Sequence, residues 1–164
     1  MLHAPDREAA RFRFDLERDL HDRAAVGMSA LALELGLIST DTDPGVGERV
    51  EVAQDMLRRA IDDLRGIGRT LYPPVLVSAG LGPALRGLAE RRDLHIRLDL
   101  PRRDLGAEAQ SRTGLLVADH LNTLHAGSTV LVRVRGRRIV RVHITDEQPG
   151  RPGLRHHRAV LTCG

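Results

Sequence analysis

The chain has 164 residues, 41% of them hydrophobic and 29% charged, which gives room for one ordinary domain or two small ones and is too hydrophobic for a disordered chain. Its net charge is only +3, because 22 acidic residues interleave with 25 basic ones, all arginine. There is no continuous positive run to track a nucleic-acid backbone, and the only aromatic residues are Phe12, Phe14 and Tyr72, too few for stacking on single strands. The single cysteine, Cys163, excludes an intramolecular disulfide framework. No apolar run approaches the ~20 residues that span a bilayer, and the first residues do not read as a signal peptide. A soluble, cytoplasmic protein without nucleic-acid partner or membrane insertion is expected.

From about Ala9 to Ile38 the apolar residues Leu16, Leu20, Ala24, Gly27, Leu31, Leu35 and Ile38 recur at steps of three and four, which predicts a helix. A polar cluster, Ser39 to Gly45 with Pro44, predicts a turn. A second periodic run follows through Val46, Val50, Ala53, Leu57, Ile61, Leu64, Ile67 and Leu71. Two helices and a short turn make an antiparallel hairpin, and a lone hairpin cannot bury two apolar stripes. A second copy would complete a four-helix bundle, so a homodimer is expected.

Pro73 and Pro74 stop the second helix and mark the best boundary, dividing the chain into a helical hairpin over 1–75 and a second domain over 76–164. In the second half, Leu81 to Arg91 reads as a short helix, His95 to Leu100 as a strand and Glu108 to His125 as a helix. Thr129 to Val134 and Ile139 to Thr145 alternate apolar and polar residues around Arg135-Gly136-Arg137-Arg138, a β-hairpin pattern. The second half is thus a small α+β domain.

The segment richest in chemistry is Glu17-Arg18-Asp19-Leu20-His21-Asp22. With Leu20 on the buried stripe, His21 lies at the stripe's edge, about 100° further round the helix, and Asp22 a step nearer solvent. An exposed imidazole beside a carboxylate can act as a nucleophile, because the carboxylate hydrogen-bonds one ring nitrogen and activates the other. A surface or capping histidine also looks like this, and the pair alone does not separate the two.

Arg18-Asp19-Leu20-His21-Asp22 followed by Leu31-Ala32-Leu33-Glu34-Leu35 resembles the phosphoacceptor helix of sensor histidine kinases of the nitrate-sensor and desaturase-thermosensor class. Leu71-Tyr72-Pro73-Pro74-Val75-Leu76 resembles the end of their second helix, and Gly80 to Ala89 the opening of their ATPase domain. The resemblance implies a dimeric four-helix bundle followed by a small, reduced GHKL-like α+β sandwich. It implies that His21 is the phosphoacceptor, Asp22 its general base, and a response-regulator receiver domain the partner. Further partners are a partner kinase or a separate sensor protein. Val26 stands where the family has Gln or Asn to orient water, which places the usual phosphatase activity in question.

ATP with magnesium is the cofactor pair that the resemblance implies, and there the chain departs further. In Asp119-His120-Leu121-Asn122-Thr123-Leu124-His125-Ala126 the family's magnesium-holding asparagine aligns with Leu121 and its lysine with Leu124. Asn122 stands one residue out of register, either a slipped magnesium contact or a plain helix-end amide. Thr145-Asp146-Glu147-Gln148-Pro149-Gly150 resembles the DxGxG box, in which Asp146 would meet adenine; Gly150 is present, but Gln148 replaces the first glycine. Gly153 to Arg158 echoes the next glycine box, and almost nothing remains of the lid between the two. Weak or undetectable ATP binding is expected. His120, His125, His143, His156 and His157 read as scattered surface histidines, with no firm metal site. Arg133, Arg135, Arg137, Arg138 and Arg141 read as the solvent face of the hairpin. The expected function is two-component signalling, with a phosphoryl group passing through His21 to a receiver aspartate, in either a histidine kinase or a kinase-like phosphotransferase that is loaded by a partner. The alternative is a dimerising pseudokinase that docks or sequesters a regulator.

Overall fold

The computed structural model describes residues 2–40, 43–103 and 105–163. Asp41 and Thr42 of the expected turn lie outside them. The chain divides into two compact units, Phe12–Tyr72 and Met1–Arg11 with Pro73–Gly164.

Helix α1 (Arg7–Asp19) starts where Asp6 caps it, its Oδ1 accepting the Ala9 N–H at 2.7 Å. It widens into a π-helical turn over Leu20–Ala25 and continues as α2 (Val26–Thr40). Helix α3 (Pro44–Leu71) is started by Asp43, whose side chain accepts the Gly45 N–H, and by a proline in its first turn. In the first unit α2 and α3 pair closely: Gln54 Nε2 donates to the Ala32 carbonyl at 3.2 Å. Gly68 lies against the Glu17 stem, and Phe14 meets Tyr72 edge to face, with ring centroids 5.3 Å apart.

The unbroken helix expected over Ala9–Ile38 is therefore corrected. A π-helical turn holds more residues than an α-turn, so it rotates everything after it out of the earlier phase. Met28, Ala32, Leu35 and Gly36 are partly covered, whereas Gly27, Leu31 and Ile38 of the expected stripe are exposed.

Tyr72 is extended, as a residue before proline must be, and α3 ends there. In the second unit, α4 (Val75–Ser78) and α5 (Leu81–Arg91) lead to β1 (His95–Asp99), α6 (Ala107–Asn122), β2 (Thr129–Arg135), β3 (Ile139–Gln148) and β4 (Arg151–Thr162). The sheet order is β1-β2-β3-β4, with β1 and β2 parallel through the α6 crossover and the later pairs antiparallel. Helix α6 stops at Asn122, short of the expected His125, because the Thr123 hydroxyl turns back to the His120 carbonyl at 2.7 Å. Strand β4 was not expected; it occupies the segment read as a glycine box.

Alternation places Val130, Val132 and Val134 of β2 and Val140, Val142 and Ile144 of β3 on one buried face, with Ala159 and Leu161 of β4. Leu85, Leu88, Leu115, Leu116 and Leu121 of α5 and α6 complete this core. On the other face Arg133 and Arg135 pair with Asp99. Residues near the N-terminus join this unit: Arg112 Nε donates to the Pro5 carbonyl at 2.9 Å, and Arg7 pairs with Glu108.

Candidate functional site

His21 lies in the π-helical turn, exposed, with Asp22 exposed beside it. The small side chains of Ala24 and Ala25 sit on the inner side of this turn, and Ala25 is buried. The carboxylate of Asp22 does not meet the imidazole: its Oδ2 accepts from Arg18 Nε at 3.2 Å, one turn back. Arg23 pairs with Asp19 in the same way at 3.6 Å. The residue missed on sequence grounds is Glu17, four positions before His21. Burial raises its carboxyl above the usual range, and attraction to His21 opposes that rise. Its i,i+4 spacing was the available signal.

The second constellation lies at one end of the sheet, and strand register explains it. Stride two along β3 carries Val140, Val142 and Ile144 inward, so Asp146 also points inward and is fully buried. Arg155 on β4 is its direct partner in the ladder, and His157 is opposite Ile144, so both share the inner face. His120, two residues before the end of α6, is the helix's contribution.

All three converge on one carboxylate. Arg155 Nε donates to Asp146 Oδ1 at 2.8 Å, and its Nη2 reaches the same oxygen. His120 Nε2 lies 3.0 Å from Oδ2. His157 Nε2 lies 2.9 Å from that same Oδ2, at an angle that makes no hydrogen bond, and has no hydrogen-bond partner among the described residues. The two imidazole centroids are 4.4 Å apart. Burial pushes the Asp146 carboxyl up, but the hydrogen bonds from Arg155 and His120 prevail and hold it below the usual range. Burial of His120 lowers its pKa and outweighs the bond to Asp146, so the ring is neutral at neutral pH. His120 and His157 are thus not the scattered surface histidines expected.

The other sequence candidates are not brought into this group. Asn122 is half-buried at the helix end, and its backbone carbonyl accepts from Arg92 Nη2 at 2.8 Å. Leu121 and Leu124, at the family's asparagine and lysine positions, are buried in the core. Pro149 and Gly150 form the two-residue β3–β4 turn, in which Gly150 supplies the φ of 74° that its place requires. Gln148 is buried near His125, Oε1 to Nδ1 3.3 Å.

Residues 13–76 match the family described as histidine kinase. The match spans the hairpin that presents His21 and ends just after Pro73 and Pro74. Over those residues the hairpin is similar to histidine kinases. Among solved structures, a histidine kinase domain from the blue-light activated histidine kinase of Erythrobacter litoralis is similar over 76% of this chain and 73% of that one, at 16% identity and TM-score 0.36. A second structure of that kinase is similar over 80% of this chain and 46% of its own, at 18% identity and TM-score 0.32. No curated protein matches the chain. Among the described residues no helix is long and apolar enough to cross a membrane.

Proposed function

We propose that the chain is a phosphotransferase of two-component signalling, carrying a phosphoryl group on His21 from a partner kinase to an aspartate of a response-regulator receiver domain. The observation that carries this reading is His21 itself, exposed beside Asp22 on the helix matched to the histidine kinase family. In the first step Nε2 attacks the donor phosphorus, the donor's bond to phosphorus breaks, and an N–P bond forms. Asp22 accepts the proton from the other ring nitrogen. In the second step a receiver carboxylate attacks, the N–P bond breaks, and the imidazole recovers its proton. Asp22 must first leave Arg18. Both side chains are more than half exposed, and such surface pairs are worth only about 0–1 kcal/mol, so the swing costs little.

The second unit supports a donor other than ATP. A nucleotide would need Asp146 to accept from adenine, yet that carboxylate has no exposed surface and both its oxygens are engaged. Leu121 and Leu124 offer no polar atom to magnesium or phosphate, and the two-residue turn at Gly150 leaves no lid. The residues present do not fit ATP. The same features favour, as second reading, a dimeric pseudokinase that only docks a regulator.

The test supplies labelled ATP, then a phosphorylated partner kinase or receiver, and follows acid-labile phosphate on the chain. Label should come from the phosphorylated donor and not from ATP, and His21→Gln should abolish it. Asp22→Asn should slow transfer by about 100-fold or more. Label that persists in His21→Gln would place the carrier elsewhere. No label from any cognate donor, with receiver binding retained, would leave docking as the function.

A further inference from the structure

We infer that His120, Asp146 and His157 form a zinc-binding site that ties α6, β3 and β4 together at one end of the sheet. The inference goes beyond the phosphoryl chemistry of His21 and does not depend on it. The three donor atoms, the two Nε2 nitrogens and the carboxylate, lie within 4.8 Å of one another. The two nitrogen-to-Oδ2 distances, 2.9 and 3.0 Å, are close to the roughly 3.3 Å edge of a tetrahedron whose zinc bonds are about 2.0–2.1 Å. A small outward adjustment of each ring admits the ion.

Hydrogen bonding alone leaves the cluster incomplete. One carboxylate oxygen faces two ring nitrogens, and only the His120 nitrogen is placed to bond it. An ion between the three gives the His157 nitrogen a partner without moving a strand. Arg155 occupies only the other oxygen, Oδ1, and so acts as the outer group that orients a ligating carboxylate. In the zinc-bound form each imidazole presents a bare Nε2 lone pair and carries its proton on Nδ1. The proton that His120 shares with Asp146 in the metal-free protein therefore moves off Nε2. Two nitrogens and one oxygen with a fourth position for water is a zinc donor set, and two neutral rings with one carboxylate suit zinc over the hard cations magnesium and calcium.

The site is tested on the full chain after chelator treatment, with zinc titrated by calorimetry. Saturable binding of one ion per chain is expected. It should be lost in His157→Gln, whose side chain is partly exposed and whose removal leaves the Arg155–Asp146 pair intact, and kept in His143→Gln, an exposed histidine of β3. Two measurements on the unmodified protein keep the test decisive if His157→Gln does not fold. Excess zinc should raise its melting temperature, and cobalt in place of zinc should give the intense visible absorption of a tetrahedral site. Absence of a saturable site, a site unchanged in His157→Gln, or a weak octahedral cobalt spectrum with no shift in melting temperature would overturn the inference.

Discussion

Glu108 holds two arginines from different parts of the sequence. Arg7 pairs with one carboxylate oxygen, and Arg112 Nη1 bonds the other at 3.2 Å. The Arg7 hydrogen bond, more than that of Arg112, holds the Glu108 carboxyl below the usual range against the opposing effect of burial. A depressed carboxylate stabilises the fold above its unfolded pKa, about 4.3, and that contribution is lost as pH falls through the lower folded value. Attachment of residues 2–10 to α6 should therefore be complete near neutral pH and loosen below about pH 4. The Arg7 side-chain NMR signal should report this transition, and Glu108→Gln should remove it; an identical pH profile in the variant would assign the attachment to other bonds. Other single residues were more legible. In the sequence, the alternation Val140, Val142, Ile144 already points Asp146 inward. His157 was hidden because the glycines around it suggest a loop, and only as a strand does its stride with Ala159 and Leu161 become visible. His120 was hidden because its partners Asp146 and His157 are 26 or more positions away in the sequence, on strands whose register no local pattern sets.

Among the elements, the short α4 and the long α6 are fitted to each other at a single glycine. A Cβ on Gly114 would come within 2.5 and 2.7 Å of the two Leu76 methyl carbons. Leu76 cannot retreat easily: it is 1% exposed, and Gln110 Nε2 holds its carbonyl at 2.7 Å. Gly114→Ala gains about 1 kcal/mol of helix propensity. The overlap costs about 1–3 kcal/mol, since two methyls are displaced in a closed core. The clash should prevail, lowering the midpoint of chemical denaturation by an amount equivalent to as much as about 2 kcal/mol. A midpoint at or above that of the unmodified protein would show that Leu76 finds another rotamer. Most elements could be read from periodicity, the β2–β3 hairpin and α5 best of all. The π-helical turn could not, because Leu20 and Ala24 satisfy the α-helical period equally well. The widened turn shows only in tertiary packing, where Ala25 is buried and Leu31 is not. Strand β4 was hidden for the opposite reason, since Arg151 to Arg158 carry almost no apolar residue on either face.

For the whole molecule, the division after Tyr72 is visible in Pro73 and Pro74, but the joining of Met1–Arg11 to the second unit is not, because the helical period runs through Arg11 without a break. The hairpin raises the question of assembly. Helix α2 is apolar nearly all round, and packing on α3 covers only part of it, which is the pattern of a helix buried on more than one side. Val26, Ala30 and Leu33 follow one another at steps of four and three along its exposed face, and Leu33 is 69% exposed. Val52, Met56 and Ile67 form a comparable stripe on α3, with Met56 64% exposed. A second hairpin laid on these stripes removes them from water at about 25 cal/mol per Å² and makes a four-helix bundle, the assembly expected from the sequence. Because Leu33 and Met56 are exposed in the single chain, Leu33→Glu and Met56→Glu should leave the hairpin folded. In a dimer each would bury an unpaired carboxylate, at a cost of several kcal/mol. Light scattering at micromolar concentration should give twice the 18.1 kDa chain mass for the unmodified protein and 18.1 kDa for the double variant, with the helical circular dichroism of both alike. An unmodified protein at 18.1 kDa would show that the stripes do not pair, and a double variant that stays dimeric would place the seam on another face.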